Sequence, residues 1–178
     1  MQLKEFASGL NFGARNSFGG SIVPTVGMKL TFSGGCIDTS LWQRDANSEQ
    51  TTFFSLISDE GVRLTLKNLF APVFGILITE KGTENDFLAT PKGFLTDCVK
   101  TARKIGYSVR KEENETSEAF AKRQAEKFLC GLFTALYGTN VTEDSELDSL
   151  SVTIEVKDCK EVQDTSDYRK YVLETAKV

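Results

Sequence analysis

"TTFFSLISDEGVRLTLKNLF", residues 51–70, is the most legible local unit of this 178-residue chain. "TFFSLI" is a short apolar run, and "SDEG" (58–61) supplies turn formers ending in glycine. Beyond the turn, Val62, Leu64 and Leu66 alternate with Arg63, Thr65 and Lys67. Side chains along a strand point to opposite faces in turn, so this alternation predicts a β-hairpin. Its second strand has one apolar face and one polar, partly basic face. It therefore belongs to a sheet with one side toward solvent or a ligand.

Upstream, Met28, Leu30 and Phe32 alternate with Lys29, Thr31 and Ser33, which predicts another strand, and "DTSLWQRDANSEQ" (38–50) reads as a polar loop whose Leu41 and Trp42 fold back onto the body. Residues 1–27 carry Gly9, Gly13, Gly19, Gly20 and Gly27 without a sustained period, and read as an extended arm. Phe6, Phe12 and Phe18 recur every six residues. In an extended chain they fall on one side, about 20 Å apart at roughly 3.3 Å per residue, as separate anchors on a surface.

Downstream of Pro72, "VFGILITEKG" (73–82) reads as a strand or buried connection. Pro91 is expected to open a helix in which Phe94, Leu95, Cys98, Val99, Ala102 and Ile105 form an apolar stripe and Gly106 marks the end. Lys100, Arg103 and Lys104 fall toward its other side. A second helix is expected from Thr116 to Tyr137, ending at Gly138, with the second half "FLCGLFTALYG" apolar nearly all round and hence buried. The chain closes with two strand-like segments, "LSVTIEVKDCKEV" and "DYRKYVLETAKV". The order predicts an α+β fold: an arm over 1–27, then one domain over 28–178 with a mainly antiparallel, OB-like barrel or sheet and a two-helix insertion at about 91–138.

Composition narrows function. The chain is 40% hydrophobic and 26% charged, as folded proteins are, and it has no histidine. Ser-His-Asp and Cys-His catalysis and most zinc sites are thereby excluded. Cys36, Cys98, Cys130 and Cys159 are too far apart for a Cys-x-x-C site and read as buried or half-buried thiols. No phosphate-binding glycine motif is present, and the acidic run Glu143, Asp144, Glu146 and Asp148 lacks calcium-loop spacing, so it reads as a solvated loop. We expect no enzyme, cofactor or metal. The longest apolar run, Leu69 to Ile78, is about half the ~20 residues of a membrane span, and no signal-like segment opens the chain, which points to cytoplasm or the interior of a particle.

Charge is segregated despite a net charge of −4: residues 91–111 hold six basic residues against Asp97, and residues 139–167 hold nine acids against Lys157 and Lys160. Binding a single nucleic-acid strand needs cations for the phosphates and flat rings for the bases. Lys29, Trp42, Arg63, Lys67, Lys100, Arg103 and Lys104 are the candidate residues, with Phe12, Phe18, Tyr107 and one of Phe53 or Phe54 as further rings.

In layout, five or so strands, a first hairpin with a basic polar face and helices before the last strand pair, the chain resembles bacteriophage-type OB-fold single-stranded DNA-binding proteins. The resemblance implies nonspecific single-stranded DNA binding across barrel strands, in replication or recombination, with no cofactor and no catalysis. Many such proteins end in an acidic tail, whereas this one ends "RKYVLETAKV", so partner recruitment would fall to another surface such as 143–148. The alternative is a virion structural or capsid-associated protein forming homo-oligomers through residues 1–27, with Phe6, Phe12 and Phe18 seated in a neighbouring subunit.

Overall fold

A computed structural model describes residues 1–9, 24–42, 51–65, 88–163 and 169–178. Its strands are β1 (Lys29–Ser33), β2 (Ile37–Trp42), β3 (Thr51–Ile57), β4 (Arg63–Thr65), β5 (Leu88–Gly93), β6 (Ser151–Gln163) and β7 (Arg169–Lys177). Its helices are α1 (Leu3–Gly9), α2 (Phe94–Ser108) and α3 (Ser117–Tyr137). Among the described residues no helix is long and apolar enough to cross a membrane.

The strands form one sheet in the order β1-β6-β7-β5-β4-β3-β2. All pairings are antiparallel except β4 with β5 and β5 with β7. The sheet is mixed and mainly antiparallel, as expected, but it is not closed into a barrel: β1 and β2 are its edges. The β3–β4 turn reaches across to β1 instead. Asp59 N–H donates to Thr31 O at 2.8 Å, Thr31 N–H donates to Glu60 Oε1 at 2.5 Å, and Ser33 Oγ donates to Asp59 Oδ2 at 2.8 Å. That engagement occupies the outer backbone groups of Thr31, which protects an otherwise open edge.

The alternations read from the sequence are real strands. In β1, Leu30 and Phe32 are buried while Lys29 and Ser33 are exposed, and β6 places Val152, Ile154 and Val156 on the same inner face. The hairpin forms in register Leu56 to Leu64, both fully buried. Two expectations are corrected here. "IDTSLW" is a strand, not loop, because Thr, Ile and Trp favour extended backbone and β3 offers a partner for every residue from Ile37 to Trp42. Pro91 lies within β5, and α2 begins only after Gly93. The expected segment after Pro72 lies outside the described residues.

α3 is the centre of the helix layer. Thr116 caps it, its Oγ1 accepting from Ala119 N–H at 3.1 Å, and Gly138 ends it in the left-handed region at φ 69°. Its apolar half is buried within the chain: Phe128 meets Tyr107 of α2 edge-on at 5.0 Å, and Phe133 stacks on Tyr137 at 5.8 Å. Tyr137 Oη donates to Gly34 O at 2.5 Å and lies 3.6 Å from Cys36 Sγ, tying α3 to the β1–β2 connection.

The first residues of the expected arm are not extended. α1 packs on α3, with Leu3 fully buried and Phe6 edge-on to Phe133 at 6.1 Å, its ring also closing over Gly35. Leu3 belongs to the same buried cluster as the sheet and the other helices. The sequence "LKEFA" places Leu3, Phe6 and Ala7 on one helical side, and the apolar surface of α3 supplies the seat that a free arm would lack.

Candidate nucleic-acid interface

α2 is amphipathic because its apolar residues recur at helical spacing: Leu95, Cys98, Ala102 and Gly106 are buried. Positions 100, 103, 104 and 107 then follow one another at i, i+3, i+4 and i+7 on the opposite side. Lys100, Arg103 and Lys104 are exposed, and Tyr107 is half-buried. The Arg103 guanidinium lies over the Tyr107 ring, 5.9 Å from its centroid, and the ring is braced edge-on by Phe128. From Lys100 to Tyr107 the stripe rises about 10 Å along the axis.

Among the described residues, no carboxylate lies within ion-pair distance of Lys100, Arg103 or Lys104. Of the other described cations some are paired with a carboxylate and some, such as Lys29, Lys122 and Lys177, are not. Lys4 pairs with Asp144 at 2.8 Å, Lys127 with Glu143 at 2.7 Å, Arg123 with Glu115 at 2.8 Å and Lys157 with Glu155 at 2.6 Å.

The acidic run is consequently not a free anionic surface. Glu143 and Asp144 have these lysines, and Glu146 and Asp148 both meet the amino group of Met1. Gln2 forms a bridge with Glu146, and Leu3 N–H donates to Ser145 O at 3.0 Å, so α1 and this loop are docked together. The hydrogen bond from Lys127 holds the Glu143 carboxyl below the usual range, whereas burial pushes that of Glu126 up. A cleft of about 230 Å³ adjoins the pair, lined by Ile105, Cys130, Thr134 and Asn140 among others. Burial pushes the Cys130 thiol up to about 12, so it stays protonated at neutral pH.

The candidate residues do not share a surface. Lys29 is exposed on β1, on the sheet face away from the helices, and stands opposite Glu155 in the ladder. Arg63 is half-buried on β4 beside Ile57 and is engaged in contacts of its own. Trp42 ends β2 opposite Thr51. Lys67, Phe12 and Phe18 lie outside the described residues. Phe6, expected to reach a neighbouring subunit, is seated in its own chain. Among the described candidates, Lys100, Arg103 and Lys104 come together, joined by Tyr107 and continued by Arg110 and Lys111 in the following loop.

Sequence reading missed the pair that holds this loop, Arg123 with Glu115. They stand eight residues apart across a helix start, a spacing that no helical or strand period marks. Comparison with protein families, with curated proteins and with solved structures finds no match for the chain.

Proposed function

We propose that the protein is a non-catalytic binder of single-stranded DNA, nonspecific in sequence and serving replication or recombination, whose contact surface is the exposed side of α2. The observation that supports this is the exposed stripe of Lys100, Arg103 and Lys104, none with a carboxylate partner among the described residues, set on one helix side with Tyr107. Cations without a carboxylate partner among the described residues are available to phosphates, and Tyr107, with the Arg103 guanidinium 5.9 Å from its ring centroid, offers an aromatic surface beside them. This site differs from the barrel-strand surface that the OB-fold resemblance implied, because Lys29 and Arg63 stand on the other face of the sheet. The capsid-protein reading draws no support from α1, whose Leu3 and Phe6 are seated within the chain; Phe12 and Phe18 lie outside the described residues.

The test is titration of the full chain with a fluorescent oligo-dT across a salt series. The affinity should fall with salt, with each neutralised phosphate contributing about −0.7 to the logarithmic slope. Substituting Lys100, Arg103 and Lys104 together by Gln should make the slope shallower by about 2. Absence of binding at low salt, or a triple variant that binds like the parent, overturns the proposal.

A further inference from the structure

The loop between α2 and α3 is built more firmly than a connection requires. Arg123, on the first half of α3, grips it with a fork: Nε donates to Glu115 Oε2 at 3.0 Å, and Nη2 donates to Glu115 Oε1 at 2.8 Å and to Arg110 O at 2.6 Å. Glu115 in turn closes a turn, accepting from Glu112 N–H at 3.1 Å through Oε1, while its own N–H donates to Glu112 O at 3.1 Å. Asn114 completes that turn at φ 65°. The side chain of Glu115 is only 12% exposed. At the other end of the loop, Arg110 Nη1 donates to Tyr107 O at 2.9 Å and Lys111 Nζ reaches Ser117 Oγ at 3.3 Å. Arg110 and Lys111 are themselves exposed, and among the described residues neither pairs with a carboxylate.

We infer that Arg110 and Lys111 are held as a preformed second half of a polyanion-binding site continuous with α2, bounded by the exposed Glu112 and Glu113, and that Arg123 and Glu115 are its positioning residues. The inference rests on the function proposed above. Physically, a loop already held in place spares the bound complex the entropy of ordering Arg110 and Lys111. A charged, exposed loop without that grip adds its cations only after ordering them.

Two substitutions separate positioning from charge. Glu115→Ala removes a negative charge beside the site, so charge alone predicts tighter binding; loss of the grip predicts binding of oligo-dT weaker by about threefold to tenfold. The salt slope should also become shallower by about 1.4, the share of two phosphate contacts on a single strand. Arg123→Lys keeps the net charge but loses the planar fork, and should weaken binding in the same direction. Amide exchange over 110–116 should quicken in both variants while that of α3 beyond Gln124 is unchanged. Binding by Glu115→Ala as tight as the parent's or tighter, or an unchanged Arg123→Lys, overturns the inference while leaving α2 as the site. Failure of the unmodified chain to bind oligo-dT overturns both.

Discussion

Gly106 carries the closest approach in the helix layer. A Cβ there would stand 2.2 Å from Cδ2 of Phe128, whose ring is fully buried and cannot swing away without disturbing Tyr107. In the sequence Gly106 stands where a helix stop is expected, yet α2 runs on to Ser108 and the residue serves packing. Gly106→Ala should therefore destabilise the fold by about 1–3 kcal/mol, read as a lower urea midpoint at unchanged slope. Gly93 is required for a second reason: its φ of 69° is a left-handed conformation, and a Cβ would meet Thr175 O at 2.7 Å. Neither demand is legible in sequence, because each comes from an atom on another element. The limits of α3 near Thr116 and at Gly138 were legible, because helix ends are marked by local chemistry: Thr116 caps the helix and Gly138 takes the left-handed conformation that ends it.

At the scale of elements, α1 changes most between sequence and structure. Seven residues are too few to hold a helix alone in water, so its stability comes from the seat on α3 and the loop 143–148. Leu3→Ala should cost about 2–5 kcal/mol of global stability, measured by denaturant unfolding, since the side chain is fully buried. A loss below half a kcal/mol would mean that α1 is not part of the folded core. β2 was missed for the converse reason: its polar Asp38, Thr39 and Ser40 look like loop until β3 pairs with them. The hairpin, α3 and the β6–β7 pair were read correctly because each is marked by a sustained period or by turn residues in its own segment.

At the scale of the whole molecule, titration should narrow stability from both sides. On the acid side, hydrogen bonds from Arg123, Lys127 and Lys157 hold the carboxyls of Glu115, Glu143 and Glu155 below their ordinary value of 4.5. Groups depressed in the fold contribute stability above their unfolded pKa and lose it as pH falls through the folded one. The raised carboxyl of Glu126 works against that loss, one group against three. On the alkaline side, burial raises Cys36, Cys98 and Cys130 from 9.0 to about 12, so their contribution is present below 9.0 and lost as pH rises toward 12. Urea midpoints should accordingly fall below about pH 4.5 and again above about pH 9, with a plateau between. A midpoint still constant at pH 11 would contradict the burial of these thiols.

What the amino-acid sequence determined by itself is the mixed class, the positions of most elements and the two long segments of opposite charge, all of which follow from periodicity, caps and composition within single stretches of chain. Only the tertiary structure decided how those charges are spent. It folded α1 back onto the acidic run, set Lys29 and Arg63 on one side of the sheet and left α2 exposed on the other, and brought Arg123 to Glu115 and the Arg110 carbonyl. The physical reason is that charges at opposite ends of a sequence, such as Lys4 and Asp144, pair only after the buried contacts of Leu3 and Phe6 have brought their elements together.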